Sequence, residues 1–349
     1  MARILAVGTA TPAHRLDARG FQQALTRAFA PYYADLRPLL RMAERCGVRE
    51  RYLALPVDEI LAPRTLGESN RCYAEAAVAL GELAARQALA RSGVAPRDVD
   101  FIITVSCTGY MLPSLDAHLV GRLGLRADVR RLPITELGCL AGAAAFALAA
   151  DLLRGATDAT ALIVAAELPS LTFQPGDGSM DNLVSALVFA DGAGAALLRA
   201  DGGPGLEIVA SLSRIVPDTL PEMGFDLRES GFHVVLSKDV PALLGRPFAE
   251  ATSDLLAAHG LTPRDLAFAC IHPGGPKILR GVDAALGVEG LTAPSWSVLE
   301  RFGNQSSAAV FTVLDQLNTV SSPAAGAFGL LAGFGPGLSL ELSLLRQVA

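Results

Sequence analysis

A duplicated α/β architecture is the fold class this sequence predicts, and three pairs of echoes predict it. The phrase Gly93-Val94-Ala95-Pro96-Arg97-Asp98 returns as Gly260-Leu261-Thr262-Pro263-Arg264-Asp265, each time joining a helical pattern to an apolar strand. Gly138-Cys139, heading a run of small and apolar residues, is matched 165 positions later by Gly303-Asn304 heading Gln305-Ser306-Ser307-Ala308-Ala309-Val310-Phe311. Both halves are then expected to close on two strands joined by a glycine turn, Ala186 to Leu198 in the first and Phe328 to Leu340 in the second. The boundary falls near Gly202-Gly203-Pro204-Gly205, dividing the chain into halves 1–204 and 205–349.

Taken in order, the start from Met1 to Ala10 reads as a strand, with too short an apolar run for a signal peptide. Helices are expected from about Asp17 to Ala30 and from Arg37 to Arg45, where Arg41, Arg45, Arg49 and Arg51 concentrate positive charge on what base rates make a solvated face. A helix from about Tyr73 to Ser92 ends at Gly93, and Phe101 to Cys107 follows as a continuous apolar strand of the kind buried in a parallel sheet. After Cys139 every residue to Leu153 except Asp151 is small or apolar, so that helix should be buried on all sides. In the second half a helix from Phe248 to His259 leads to a strand from Phe268 to His272.

Bulk composition narrows the function classes. Hydrophobic residues make up 51% and charged ones 18% of the 349 residues, which calls for thick layers and an oligomer. A net charge of −6 without any basic block argues against a nucleic-acid surface, and no stretch reaches membrane-span length without Gly or polar breaks. The five cysteines are odd in number and lack metal-like spacing, which favours a reducing, cytoplasmic setting over a disulfide framework.

Duplication also selects candidate chemistry. If the halves pack about a pseudo-two-fold axis, the helix heads bearing Cys139 and Asn304 are symmetry mates, and so are the strand ends bearing Cys107 and His272. A thiol at a helix N-terminus meets unpaired N–H groups and the positive end of the dipole, which favour thiolate. A Cys, a His and an Asn in one pocket suit acyl transfer: a sulfur nucleophile, an imidazole to hold its proton and N–H donors for a developing oxyanion. No second His or carboxylate sits at ligand spacing from any of the three, so no metal is expected.

These residues carry a resemblance. With His272-Pro273-Gly274-Gly275-Pro276, Phe189-Ala190-Asp191-Gly192-Ala193 and Gly333-Phe334-Gly335-Pro336-Gly337, the chain resembles the type III polyketide synthases, the chalcone-synthase-like condensing enzymes of the thiolase superfamily. The resemblance implies a duplicated thiolase-like fold in five layers, αβαβα. It implies that Cys139 carries the starter and the growing chain, while His272 and Asn304 bind the thioester carbonyl of malonyl-CoA and stabilise the enolate left by decarboxylation. It makes Phe189 a gatekeeper and Arg41 and Arg45 holders of CoA phosphates, with the family's other basic position in that helix falling on Pro38. Thr172, Ser306 and Pro336 become cavity residues, and Leu112 the side chain passed across the interface of a homodimer. The partners are then acyl-CoA and malonyl-CoA, with no separate cofactor.

Three positions depart from the plant pattern. Cys107 stands where a threonine is usual, read equally well as a structural thiol or as a participant. Phe225 replaces a small glycine and Val234 a phenylalanine, and a large ring at 225 should remove the room for an aromatic starter. Alkylpyrones or alkylresorcinols from fatty acyl starters are therefore the expected products, with a malonyl-CoA-only naphthalene synthase as the alternative. A ketoacyl-ACP synthase of the initiating type shares the Cys-His-Asn set but not the His-Pro-Gly-Gly-Pro and Gly-Phe-Gly-Pro-Gly phrases. An inactive acyl-binding paralogue is expected to have lost one of the three residues, and none is lost.

Overall fold

Local signals account for most helix boundaries in the structure, a computed structural model that describes residues 1–156, 158–200, 203–320 and 323–349. Gly202 of the expected linker lies outside the described residues. Asp17 accepts a hydrogen bond from the Gly20 amide and opens the helix Ala18–Phe29. Thr65 and Glu68 form a capping box, so the next long helix, Leu66–Ser92, begins well ahead of the expected Tyr73 and ends on Gly93 in the left-handed region. Ser179 caps Met180–Val188 by accepting from the Asn182 amide. That cap corrects the expectation of a strand pair from Ala186 to Leu198. The stretch to Val188 is helical, Phe189 follows its end, and only Gly192–Arg199 is a strand.

Sheet topology repeats between the halves. In the first, the order is Arg130–Ile134, Phe101–Val105, Thr160–Glu167, Gly192–Arg199, Arg3–Ala10; in the second it is Leu266–Ile271, Phe328–Gly335, Ser339–Val348, Gly205–Ile215. Phe101–Val105 runs parallel to Thr160–Glu167, as Leu266–Ile271 does to Phe328–Gly335, and the remaining corresponding pairs are antiparallel. The second half lacks a counterpart to Arg130–Ile134, and there the Leu291 carbonyl accepts from the Ala269 amide. The two half-sheets join at a short antiparallel seam, Arg3 with Glu207 and Ile4 with Leu206.

Five layers follow from which side chains share a core. Ala77, Ala84 and Ala88 of Leu66–Ser92 pack with Ile102, Leu162 and Leu197 on the outer face of the first half-sheet. Ile103, Ile163 and Leu198, one residue along each strand, point the other way into a central layer with Phe146, Val310 and Phe311. Leu331 and Leu345 cover that layer from the second half-sheet, whose outer face packs Leu330, Leu342 and Leu344 against Leu244, Phe248 and Leu279. Phe101–Val105, Thr160–Glu167 and Phe328–Gly335 are nearly continuous in apolar residues because both their faces are covered. Among the described residues no helix is long and apolar enough to cross a membrane.

The central layer holds the helix Ala141–Arg154 against Ala309–Val320. It is buried on most sides but not all, since Leu148 is 39% exposed. Phe146 and Phe311, themselves 165 positions apart, meet with ring centroids 4.9 Å from each other. One turn earlier Gly142 lies so close to the other half that a Cβ there would sit 2.0 Å from the Ser307 carbonyl oxygen. Backbone cannot yield as a side chain does. Gly142→Ala is expected to lower stability by roughly 3 kcal/mol, the upper end for overpacking, seen as a thermal midpoint several degrees below wild type. An unchanged midpoint would show that the two helix heads are free to separate.

Candidate active site

The two helix heads have the same local build. Gly138 and Gly303 both adopt positive φ, 59° and 71°, a conformation suited to glycine. Each is followed by a residue of the cavity wall, Cys139 inside the 3-10 turn Gly138–Leu140 and Asn304 just ahead of the turn Ser306–Ala308, and each turn runs into its helix. Pro336 packs over Gly138, where a Cβ would meet its Cδ at 2.5 Å. Asn304 is tied down along its backbone, its N–H donating to the Val188 carbonyl at 2.8 Å and its carbonyl accepting from the Ala190 amide at 2.9 Å. Its side-chain Oδ1 accepts from the Ser306 amide at 2.9 Å, and Nδ2 lies 3.4 Å from the Gly274 carbonyl. The carboxamide is thus held with its N–H groups on the cavity side.

His272 follows directly on the strand Leu266–Ile271, its amide donating to the Ala332 carbonyl at 2.8 Å. The residue is 2% exposed, and its buried Nδ1 has no hydrogen-bond partner among the described residues. Burial lowers its pKa to about 4, so the ring is neutral at ordinary pH. Cys139 differs from expectation. Burial pushes its thiol up to about 12; the Ser306 hydroxyl opposes that shift, and the charge of Glu167 adds to it. Desolvation outweighs the helix terminus, and the resting sulfur is a thiol 3.3 Å from Ser306 Oγ.

Behind these residues lies a carboxyl group that sequence reasoning missed. Glu167, fully buried at the end of Thr160–Glu167, accepts from the Cys107 amide at 3.1 Å, from Thr108 Oγ1 at 2.8 Å and from Ser307 Oγ. Ser306 Oγ and Cys107 Sγ approach its Oε1 at 3.4 and 3.5 Å, and Cys107 Sγ stands 3.4 Å from Ser306 Oγ. Burial raises the pKa of Glu167, and burial together with the neighbouring carboxylate charge raises that of Cys107. The signal for Glu167 was present: an acid closing the strand Thr160 to Ala166 must be buried with it, and a buried carboxylate needs donors.

Cys139, His272 and Asn304 converge on one cavity of about 360 Å³, which also takes Cys107, Thr172, Phe189, Phe225, Val234, Ser306 and Pro336 into its wall. Phe225 and Val234 are direct cross-strand partners in the hairpin Met223–Arg228 and Gly231–Leu236, so the two departures from the plant pattern form one patch of wall. Phe225 is 38% exposed and packs edge-on against Phe232, 5.5 Å between centroids. Three expected residues lie outside the lining. Leu112 is 82% exposed, and Arg41 and Arg45 stand on the exposed face of Arg37–Arg45, one turn apart. A second, smaller apolar pocket of about 80 Å³ shares Pro169, Thr172 and Phe189 with the cavity and is lined beyond them by Leu25, Phe29 and Ile60.

Comparison with known proteins agrees with this geometry. Residues 1–202 match the N-terminal domain of chalcone and stilbene synthases, and residues 207–349 match the C-terminal domain. A 1,3,6,8-tetrahydroxynaphthalene synthase from Streptomyces peucetius subsp. caesius is 38% identical, over 98% of this chain and 92% of its own length. One from Streptomyces coelicolor is also 38% identical, over 87% and 82%. The solved structure of the tetrahydroxynaphthalene synthase from Streptomyces coelicolor A3(2) superposes with a TM-score of 0.95 at 34% identity, covering 99% of each chain. The C-terminal type III polyketide synthase domain of Steely1, a type I/III hybrid from Dictyostelium, gives 0.92 at 26% identity over 100% and 99%. With both domain models matched in order and relatives of this identity along almost its whole length, the chain belongs to the chalcone and stilbene synthase family, as a type III polyketide synthase of the bacterial kind.

Proposed function

We propose that this chain builds a polyketide from malonyl-CoA alone and releases it as a tetrahydroxynaphthalene-type product. The convergence of Cys139, His272 and Asn304 on one largely apolar cavity carries the reading. Cys139 takes the first acyl group as a thioester, its proton passing to the His272 imidazole as the CoA thiolate leaves. A malonyl thioester then places its carbonyl oxygen between the imidazole and Asn304 Nδ2; carbon dioxide departs, and its bonding electrons become an enolate whose oxygen these two groups stabilise. The enolate carbon attacks the Cys139 thioester and expels the sulfur, lengthening the chain by two carbons. The naphthalene product is supported by the names of the relatives at 37–38% identity and by a cavity of about 360 Å³ narrowed by the Phe225 and Phe232 rings.

An aliphatic acyl starter is the second reading, favoured by the mostly apolar pocket behind Thr172 and Phe189, where the end of an alkyl chain would lie along Leu25, Phe29 and Ile60, with Arg51 also in the wall. Products separate the two. Mass spectrometry after incubation with malonyl-CoA alone should find the naphthalene and its oxidised pigments, and Cys139→Ala should abolish them while sparing some malonyl-CoA decarboxylation. Alkylpyrones formed only when a fatty acyl-CoA is added, with nothing from malonyl-CoA alone, would reverse the order of the readings.

Ionisation of Cys139 gives an independent test. Burial makes both the thiol and the imidazole neutral when each is considered separately, and among the described residues His272 is the only histidine in the cavity wall. Thiolate near neutral pH therefore requires the histidine to take the proton. In His272→Ala the thiol keeps a pKa raised by burial, and its thiolate fraction falls tenfold for each pH unit below that value. Iodoacetamide labelling of Cys139 in that variant should climb without a plateau through about pH 10. A plateau near about pH 6 to 7 in the variant would assign ionisation to the helix terminus instead.

Phe225 is accessible to a size test because it stands at the wall and not in the core. Phe225→Gly should admit bulky aryl-CoA starters that wild type excludes, at a stability cost of roughly 2 kcal/mol for a half-exposed ring in a strand. A stable variant with an unaltered starter profile would show that this ring does not limit the cavity.

A further inference from the structure

Arg51 is 3% exposed, and among the described residues no carboxylate forms an ion pair with it. Its guanidinium carbon lies 3.6 Å above the centre of the Phe21 ring. From there Nη1 donates to the Ala186 carbonyl at 2.6 Å and the Phe189 carbonyl at 3.3 Å, and Nη2 donates to the Leu187 carbonyl at 3.0 Å. Ala186 and Leu187 belong to the last turn of Met180–Val188, where carbonyls lack helical partners and a cation meets the negative end of the dipole. A lysine has no planar fork with which to reach three carbonyls at once.

The short strand Glu50–Leu53, which carries Arg51, also grips the far side of Phe189. The Asp191 amide donates to the Tyr52 carbonyl at 3.0 Å, and the buried Asp191 carboxylate accepts from the Ala54 amide at 2.6 Å and the Ser170 amide at 2.8 Å. Between these two anchors, Val188 and Ala190 hold the backbone of Asn304. Phe189 itself stands in the wall shared by the cavity and the smaller pocket. The ordering runs from Phe21 and Arg51 through the helix end to Phe189, and from its neighbours to Asn304.

We propose that Arg51 is a positioning residue for the condensing reaction: its guanidinium clamp on the carbonyls of Ala186, Leu187 and Phe189 sets the Phe189 partition and, through it, the reach of the Asn304 amide. This rests on the reading of Asn304 as an enolate donor. A buried, carboxylate-free cation is costly to fold around, and burial lowers its pKa to about 10. An apolar side chain would fill the space at less desolvation cost but would leave three carbonyls unsatisfied and the partition free to shift.

The test compares Arg51→Lys with wild type, with rates expressed per Cys139 thiol titrated by exhaustive iodoacetamide labelling. The kcat for malonyl-CoA decarboxylation should fall about tenfold with KM within about threefold, because a displaced Asn304 loses transition-state more than ground-state contact. The fraction of truncated products should rise as the partition loosens. Arg346→Lys disturbs another partly buried arginine, paired with Glu207 far from the cavity lining; it should lower thermal stability while keeping the wild-type product ratio. Wild-type kcat and product ratio in Arg51→Lys would overturn the proposal. Should Arg51→Lys fail to fold, Phe21→Leu keeps the charge but removes the ring beneath it, and an unchanged product ratio there overturns the proposal equally. A wild-type enzyme that does not decarboxylate malonyl-CoA would remove the reading of Asn304; one that does, beside an unaltered Arg51→Lys, would remove this inference alone.

Discussion

The backbone contact of Gly142 with the Ser307 carbonyl oxygen, in the central layer, brings the heads of two equivalent helices as close as polypeptide permits. Everything in the candidate site hangs from that approach. Cys139 and Asn304 stand three residues upstream of Gly142 and Ser307, so the same contact fixes the spacing of the sulfur and the carboxamide. The small residues Ala141, Ala143, Ala144 and Ala145 let the helix enter the layer, and the Phe146–Phe311 stack closes it behind them. Packing of two rings, each worth about 1.5–3 kcal/mol in burial alone, offsets the loss of side-chain contact at the glycine.

Placing reactive groups in such a layer has an electrostatic consequence. Desolvation works against charge and moves each group toward its neutral form: it raises the Cys139 thiol, lowers the His272 imidazole and raises the carboxyls of Glu167 and Asp191, the last to about 6. Cys139 and His272 are each neutral when taken singly. Charge must arise within the reaction, as thiolate with imidazolium or as an enolate, and it arises beside donors already in place. His272 Nδ1 and the Asn304 Nδ2 group are such donors or acceptors, one without a partner among the described residues and the other with a long bond to the Gly274 carbonyl. Glu167 keeps Ser306, Ser307, Thr108 and the Cys107 amide in register from behind.

Around this centre the two halves have diverged in what they contribute. The first supplies the sulfur, the buried carboxyl and the Phe189 partition; the second supplies the imidazole, the carboxamide and the Met223–Leu236 hairpin that narrows the cavity. Strand ends at corresponding places, Cys107 and His272, carry a thiol held by a carboxyl in one half and an unpaired imidazole in the other. One scaffold thus presents the same four backbone positions with different chemistry, which is what a condensing site needs when one group must hold an acyl chain and others must stabilise an enolate.

Sequence by itself determined the duplication, the buried parallel strands, the helix caps at Asp17 and Gly93, and the candidates Cys139, His272 and Asn304, because each of these is written in local pattern or in an echo at constant offset. It misread Ala186 to Val188, where a Ser179 cap on Met180–Val188 decides for helix over the strand suggested by an apolar run. It shows the helix terminus at Cys139 but not the depth of desolvation around the sulfur, which is a property of all five layers together. Glu167, Asp191 and Arg51 look like ordinary charged residues in the chain. Only the tertiary structure buries them, by closing the half-sheets and the strand Glu50–Leu53 over them, and burial is what turns a common side chain into one that must hold its neighbours in place.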